Sequence, residues 1–313
     1  NNLVNVHKSK EKQIRRRDYP WQLSGKGKTT FGSPKFDLDK FDKSYFEKLL
    51  AVVKLVNSKG MIPIVGVFSE HGIDHPLHWK GHPFHPQNNI NQLGLPGRDA
   101  IPEFFENKKS LYYQTRYVNE LLKTLADTHY ILLPFGEMKR AHDEYIKRWL
   151  RLFTEYEKRT GKEVVVCISG SSDIIKKFAE YDAVDMIDIS YYHSGRYDDK
   201  ELNVPDGQRG IENTIRQVRE SLGKKNRKPV AKFCFKYGYP YADTNSPWAD
   251  KQTGTELGGP ATAGKDALQA VYDGGGAGIF FKMAWARDRG ECMKPDQWSR
   301  DIKQFVKKID LYD

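Results

Sequence analysis

Short apolar, β-rich runs alternate with amphipathic helical stretches along nearly the whole chain, and this alternation restricts the fold more than any other feature. Near-continuous apolar runs suit strands buried on both faces, and strands separated by helices define βα units around a parallel sheet. Candidate strands lie at 3–6, 61–68, 130–135, 164–168, 186–191, 230–235 and 278–283. Between them Phe46, Leu49, Leu50, Val53 and Val56 fall at helical spacing, with Gly60 as a stop. Tyr117, Val118, Leu121, Leu122 and Leu125 mark a second helix, and Tyr145, Trp149, Leu152 and Tyr156 a third, ended by Gly161. Further helices are expected at 174–178, 211–222 and 265–272, with a last one carrying Trp298, Ile302, Phe305 and Ile309. Seven strands, each followed by a helix, predict an α/β protein of the (β/α)8 TIM-barrel type whose first strand is missing or lies upstream of Asn1. The 313 residues suit one such domain, residues 1–313, with a long loop at 69–110 over the barrel mouth.

Parallel α/β folds keep their chemistry at the C-terminal ends of their strands. The apolar run Tyr130-Ile131-Leu132-Leu133-Pro134-Phe135 stops at Gly136-Glu137, which places a carboxylate at such a lip. Loops of more than about 15 residues in compact domains are usually functional or disordered, and the content of the 69–110 loop, rich in His, Asn and aromatic residues, argues for function.

Charge and hydropathy narrow the partners. Lys and Arg number 51 against 41 Asp and Glu, a net charge of +10, which favours anionic partners such as an acidic polysaccharide. The densest basic run, Lys8 to Arg17 with Lys26 and Lys28 behind it, is either a solvated loop or a ligand-facing rim. It contains no recognised nucleic-acid module, so nucleic acid is a disfavoured partner. No apolar stretch approaches the roughly 18–20 residues that span a bilayer, so no membrane segment is expected. Cys167, Cys234 and Cys292 are too widely spaced for a zinc knuckle and too few for a disulfide framework. The first eight residues lack a signal-peptide layout and begin without Met, which fits a processed or partial chain and leaves the compartment open, an extracellular, cell-surface or virion-associated setting being favoured.

Several segments resemble the retaining TIM-barrel glycoside hydrolases of the cellulase-like superfamily. They are Pro20-Trp21, Lys35-Phe36-Asp37-Leu38-Asp39-Lys40-Phe41 leading into Tyr45-Phe46, the run from Gly60 to Phe68, and Trp79, His82-Pro83-Phe84, Asn88-Asn89, Tyr113-Gln114 and Tyr117-Val118. The resemblance covers most of the chain to about Glu157. In that superfamily the fourth strand ends in Asn-Glu, so the resemblance makes Glu137 the general acid/base and puts Gly136 where the Asn would stand. It also departs from the family at two further places: Asn5 stands where the second strand carries Arg, and Ala231 to Gly238 offers no carboxylate where the seventh strand carries the nucleophile.

Retaining hydrolysis needs two carboxyl groups about 5–5.5 Å apart, whereas a separation of about 6.5–9.5 Å leaves room for the water of an inverting mechanism. Glu70, after the third strand of the family pattern, and Asp188, in the sixth, are the candidate partners of Glu137. Trp79, His82, Asn88, Asn89, Tyr191, Tyr192, His193 and Trp285 are candidate sugar contacts, since aromatic rings offer flat apolar faces with polar edges. His71, His75, His78, His82 and His85 cluster within fifteen residues, but Pro76, Pro83 and Pro86 break the helical spacing that would present zinc ligands, so a cleft-lining loop without metal is expected. The turn Gly274-Gly275-Gly276, near Arg287 and Arg289, forms no GxGxxG, and no cofactor is implied. Two functions therefore stand side by side: a glycosidase acting on a polysaccharide, and an inactive glycosidase-like barrel that binds glycan or serves in a larger assembly such as a virion or surface structure.

Overall fold

The computed structural model of the chain describes residues 19–136, 138, 142–190, 208–223, 228–237, 273–276 and 278–283. The candidate strand at 3–6, the expected helices at 265–272 and 298–309, and Glu137, Tyr191, Tyr192, His193 and Trp285 lie outside the described residues. The chain divides into two compact units, Asn1–Val166 and Cys167–Asp313.

The first unit opens with an antiparallel pair, β1 (Trp21–Lys28) and β2 (Pro34–Phe41), where a basic loop was expected. Gly25, Gly27 and Gly32 carry positive φ angles of 69°, 58° and 84°, and these bends interrupt the period-two pattern that would betray a hairpin. Helix α1 (Lys43–Asn57) is capped by Asp42, whose carboxylate accepts from the Ser44 N–H at 2.9 Å. It buries Phe46 and Val53, and Gly60, at φ 73°, turns the chain into β3 (Ile64–Ser69).

The stretch between β3 and the next long helix is more ordered than expected. It contains α2 (His71–Asp74), α3 (Pro76–Gly81) and α4 (Ile101–Glu106). Pro76 and Pro102 sit in the first turns of α3 and α4, where a missing N–H costs nothing, so Pro76 starts a helix where the sequence suggested a break. Helix α5 (Lys108–Leu125) begins well before Tyr117, at an Asn107 cap that accepts from the N–H groups of Lys109 and Ser110.

Strand β4 (Ile131–Gly136) runs parallel to β3, with Phe68 beside Phe135 and Ser69 beside Gly136. Helix α6 (Asp143–Thr160) follows and ends at Gly161, whose φ of 66° lets its N–H reach the Glu157 carbonyl at 2.8 Å. The first residues of β5 (Val165–Ser169) then pair with β4 at Ile131 and Leu132. Leu121, Leu122 and Leu125 of α5, Leu132 and Phe135 of β4, and Trp149 and Phe153 of α6 are fully or almost fully buried and form this unit's core.

The second unit takes up the rest of β5, then α7 (Ser172–Phe178), β6 (Met186–Asp188), α8 (Gln208–Leu222), β7 (Val230–Tyr237) and β8 (Gly278–Met283). Its strands are parallel, and sheet neighbours are sequence neighbours: β5 with β6, β6 with β7, β7 with β8. Ile174, Ile175 and Phe178 from α7, Ile215 and Val218 from α8, and Ile187 and Val230 from the sheet are fully buried. Parallel strands in chain order, joined by helices from β3 to β7, are the βα repeat that the sequence implied. Among the described residues no helix is long and apolar enough to cross a membrane.

Candidate active site

In the first unit the lips of β3 and β4 are joined through Glu70. Its N–H donates to the Gly136 carbonyl at 3.2 Å, and its own carbonyl accepts from Ile73 and Asp74 at 2.9 and 2.8 Å, which starts α2. The Glu70 residue is 1 % exposed. A carboxyl group is therefore enclosed at the C-terminal end of β3, backbone-linked to the residue that precedes Glu137 in the chain.

The loop beyond Glu70 is knitted by asparagines. Both Asn88 Nδ2 hydrogens are donated to backbone carbonyls, of Lys80 at 2.8 Å and His82 at 2.9 Å, and its Oδ1 accepts from the Thr30 N–H at 2.9 Å. Asn89 donates to Pro83 and His85 carbonyls, each at 3.0 Å, and accepts from the Asn91 and Gln92 N–H groups, each at 3.1 Å. Both side chains are buried, with their donors committed to backbone. They hold the loop in its conformation and tie it to the β1–β2 hairpin, an arrangement extended by the Phe36–Asn88 and Ile90–Phe36 backbone bonds.

Trp79 is 1 % exposed, its indole N–H donating to the Pro96 carbonyl at 3.1 Å and its ring packed against His82, His85 and Phe104. In this structure its faces are occupied by neighbours. His82 is half-buried; its Nδ1 accepts from the Phe84 N–H, and its ring lies 5.4 Å from those of Trp79 and Phe84. His85 has Nδ1 accepting from the Gln87 N–H; burial, with the positive charge of Lys80 as a lesser contributor, holds its pKa below the usual histidine range against a Gly97 backbone bond that pulls the other way. The rings of His75 and His78 lie 4.6 Å apart. Among the described residues, no three His, Cys, Asp or Glu side chains are grouped to hold a metal ion.

In the second unit Asp188, at the end of β6, is 1 % exposed and hydrogen-bonded on both oxygens. Oδ2 accepts from the Ser169 hydroxyl at 2.6 Å, and Oδ1 from the hydroxyl and N–H of Ser190 at 2.6 and 3.0 Å. These bonds tie the ends of β5 and β6 together. Burial, reinforced by Asp188 and Asp185, pushes the neighbouring Cys167 thiol well up, so it remains a protonated core group.

A cluster with no direct sign in the sequence joins β2 to α5. Asp39 Oδ1 accepts from the Tyr113 hydroxyl at 3.1 Å and from Arg116 Nη1 at 3.2 Å, while Oδ2 accepts from Asn91 Nδ2 at 2.9 Å. Arg116 also donates to the Asp39 carbonyl at 2.9 Å, and its guanidinium lies 5.5 Å from the Phe41 ring centroid and 5.7 Å from that of Tyr112. The available signal was the i, i+4 spacing of Tyr112 and Arg116, which puts both on one helix face.

Solved structures share this architecture. Some 86 % of the chain aligns with 77 % of a glycoside hydrolase family 5 enzyme from Prevotella bryantii, solved in complex with a xyloglucan tetradecasaccharide, with a TM-score of 0.52 and 13 % identity. Similarly, 84 % of the chain aligns with 76 % of the endo-1,4-beta-mannanase from Rhizomucor miehei, with a TM-score of 0.51 and 11 % identity. The chain is thus an α/β protein of the (β/α)8 TIM-barrel type, with the fold found in those glycoside hydrolases. It belongs to the family described as a domain of unknown function, DUF6298, which it matches over residues 16–245. No protein of curated function matches it.

Proposed function

We propose that this protein binds a polysaccharide at the C-terminal ends of its strands and hydrolyses it with Glu137 as general acid/base. The observation that carries the proposal is the Glu70–Gly136 link: a buried carboxyl group closes β3 beside the last residue of β4, one position before Glu137. Barrel enzymes place catalytic groups on the ends of several strands at this face. Glu70 is the partner we assign to Glu137. Asp188, already engaged by three hydrogen bonds, is the weaker candidate. Tyr191, Tyr192, His193 and Trp285 follow or flank strand ends and are the rings assigned to sugar stacking. Trp79, Asn88 and Asn89 shape the loop that carries His82.

A second reading has its own support. The residues of β7, Val230–Tyr237, contain no carboxylate, and a barrel with that loss is suited to holding glycan without cleaving it, alone or within a larger assembly. One experiment separates the two. The purified protein is assayed against a panel of soluble neutral and acidic polysaccharides for both binding and reducing-sugar release. Release that disappears in Glu137→Gln supports the hydrolase; binding without release supports the glycan-holding barrel; neither binding nor release sinks both.

A further inference from the structure

The outer face of α5 carries a stripe outside the strand ends: Tyr112, Arg116 and Asn119, spaced i, i+4, i+7, all exposed or half-exposed. Tyr112 is 55 % exposed although it is a large aromatic residue. Side chains on a helix lean toward its N-terminus, so Arg116 reaches back over Tyr112. There the guanidinium is held between the Tyr112 and Phe41 rings and anchored on Asp39. Asp39 is in turn fixed by Tyr113 and Asn91, so the polar groups are set before any ligand arrives.

The cluster retains capacity for a ligand. Of the five guanidinium N–H donors, Arg116 uses two on Asp39. The Asp39 side chain is 59 % exposed, and its Oδ2 carries one described bond, from Asn91. A flat, rigid, exposed ring flanked by fixed donors and a fixed acceptor matches one chemical class well: a sugar ring, apolar on its C–H face and ringed by hydroxyls. Because Arg116 is paired with Asp39, the site is close to charge-neutral, which fits a neutral pyranose better than an anion.

We propose that Tyr112, Arg116 and Asp39 form a surface site for a neutral pyranose unit of a polysaccharide, with Tyr112 as its stacking platform and the other two as hydrogen-bond partners. The site rests on the polysaccharide reading above, and deepens it by adding a second hold on the polymer made by residues other than those assigned to the strand ends. Such a hold raises the effective concentration of a long chain at the protein without adding a catalytic group.

The test measures affinity for the same panel of soluble polysaccharides by affinity electrophoresis, for the whole protein and for Tyr112→Ala, Tyr112→Phe and Arg116→Lys, with thermal midpoints recorded in parallel. The expected result is a loss of about five- to tenfold in Tyr112→Ala, retention in Tyr112→Phe, and an intermediate loss in Arg116→Lys, since stacking survives in Phe and the planar fork is lost in Lys. Wild-type binding that Tyr112→Ala leaves unchanged overturns the surface site and leaves the reading of Glu137 standing. Absence of wild-type binding to every polysaccharide overturns both. A thermal midpoint that falls in Tyr112→Phe as much as in Tyr112→Ala, with affinity lost in both, assigns the ring a structural role and also overturns the site.

Discussion

The N–H of Glu70 donates to the carbonyl of Gly136 at 3.2 Å, so the lip of β3 is hydrogen-bonded to the lip of β4 at the residue before Glu137. If Glu70 supplies the second carboxyl group, Glu70→Gln lowers reducing-sugar release by at least about a hundredfold while binding persists, because general acid/base groups contribute on that scale. The released anomer, followed by NMR during the first turnovers, reads the spacing of the pair: inversion is the outcome of about 6.5–9.5 Å with water between, retention of about 5–5.5 Å. Full release in Glu70→Gln removes Glu70 from the mechanism.

Asn89 makes four hydrogen bonds to the backbone of the long loop. It offers donors to Pro83 and His85 carbonyls and an acceptor to the N–H groups of Asn91 and Gln92. Asn89→Ala removes four hydrogen bonds to the backbone, two of them buried, and each buried group left unsatisfied costs about 1–3 kcal/mol. We expect a loss of at least about 2 kcal/mol, read as a lower urea midpoint at unchanged slope. A midpoint within experimental error of wild type would show that water replaces the amide.

Much of the scaffold was legible in the sequence for a simple reason: the strands that became β3 and β4 are almost wholly apolar runs, those that became β7 and β8 are apolar apart from lysines, and Gly161 closes α6 where its pattern ends. The hairpin was not, because Gly25 and Gly27 break its alternation, and α3 and α4 were not, because Pro76 and Pro102 act as starters rather than stops. At the site, the position of Glu70 at a strand end followed from the run before it. The enclosure of Trp79 did not, since the Pro96 carbonyl that takes its N–H comes from 17 residues away. Asp39 and Arg116 lie 77 residues apart, beyond any local pattern.

His85 gives the loop a pH dependence of defined sign. Its pKa is lowered in the folded chain, chiefly by burial, below the value of about 6.5 it has when unfolded. Between those two values the unfolded chain binds more protons, so stability rises with pH across that window. The contribution is complete above about pH 6.5 and is lost as pH falls through the folded value. Wild type therefore loses more thermal stability than His85→Gln between pH 7.5 and pH 5.5 (about the window named). Parallel stability curves for the two proteins would show that another group sets the dependence.

Asp188 separates a structural acid from a catalytic one. Its oxygens accept from the Ser169 hydroxyl and from the hydroxyl and N–H of Ser190, and the residue is buried. Replacing it with Ala leaves the Ser190 N–H and two hydroxyls without their acceptor; the hydroxyls can turn to other partners, whereas the N–H cannot. The expected cost is about 2–3 kcal/mol of stability, measured by urea denaturation. At a temperature where Asp188→Ala remains folded, release of reducing sugar per folded molecule should match wild type. A release that falls about a hundredfold or more with stability intact would instead place Asp188 among the reacting groups and displace Glu70 as the partner of Glu137.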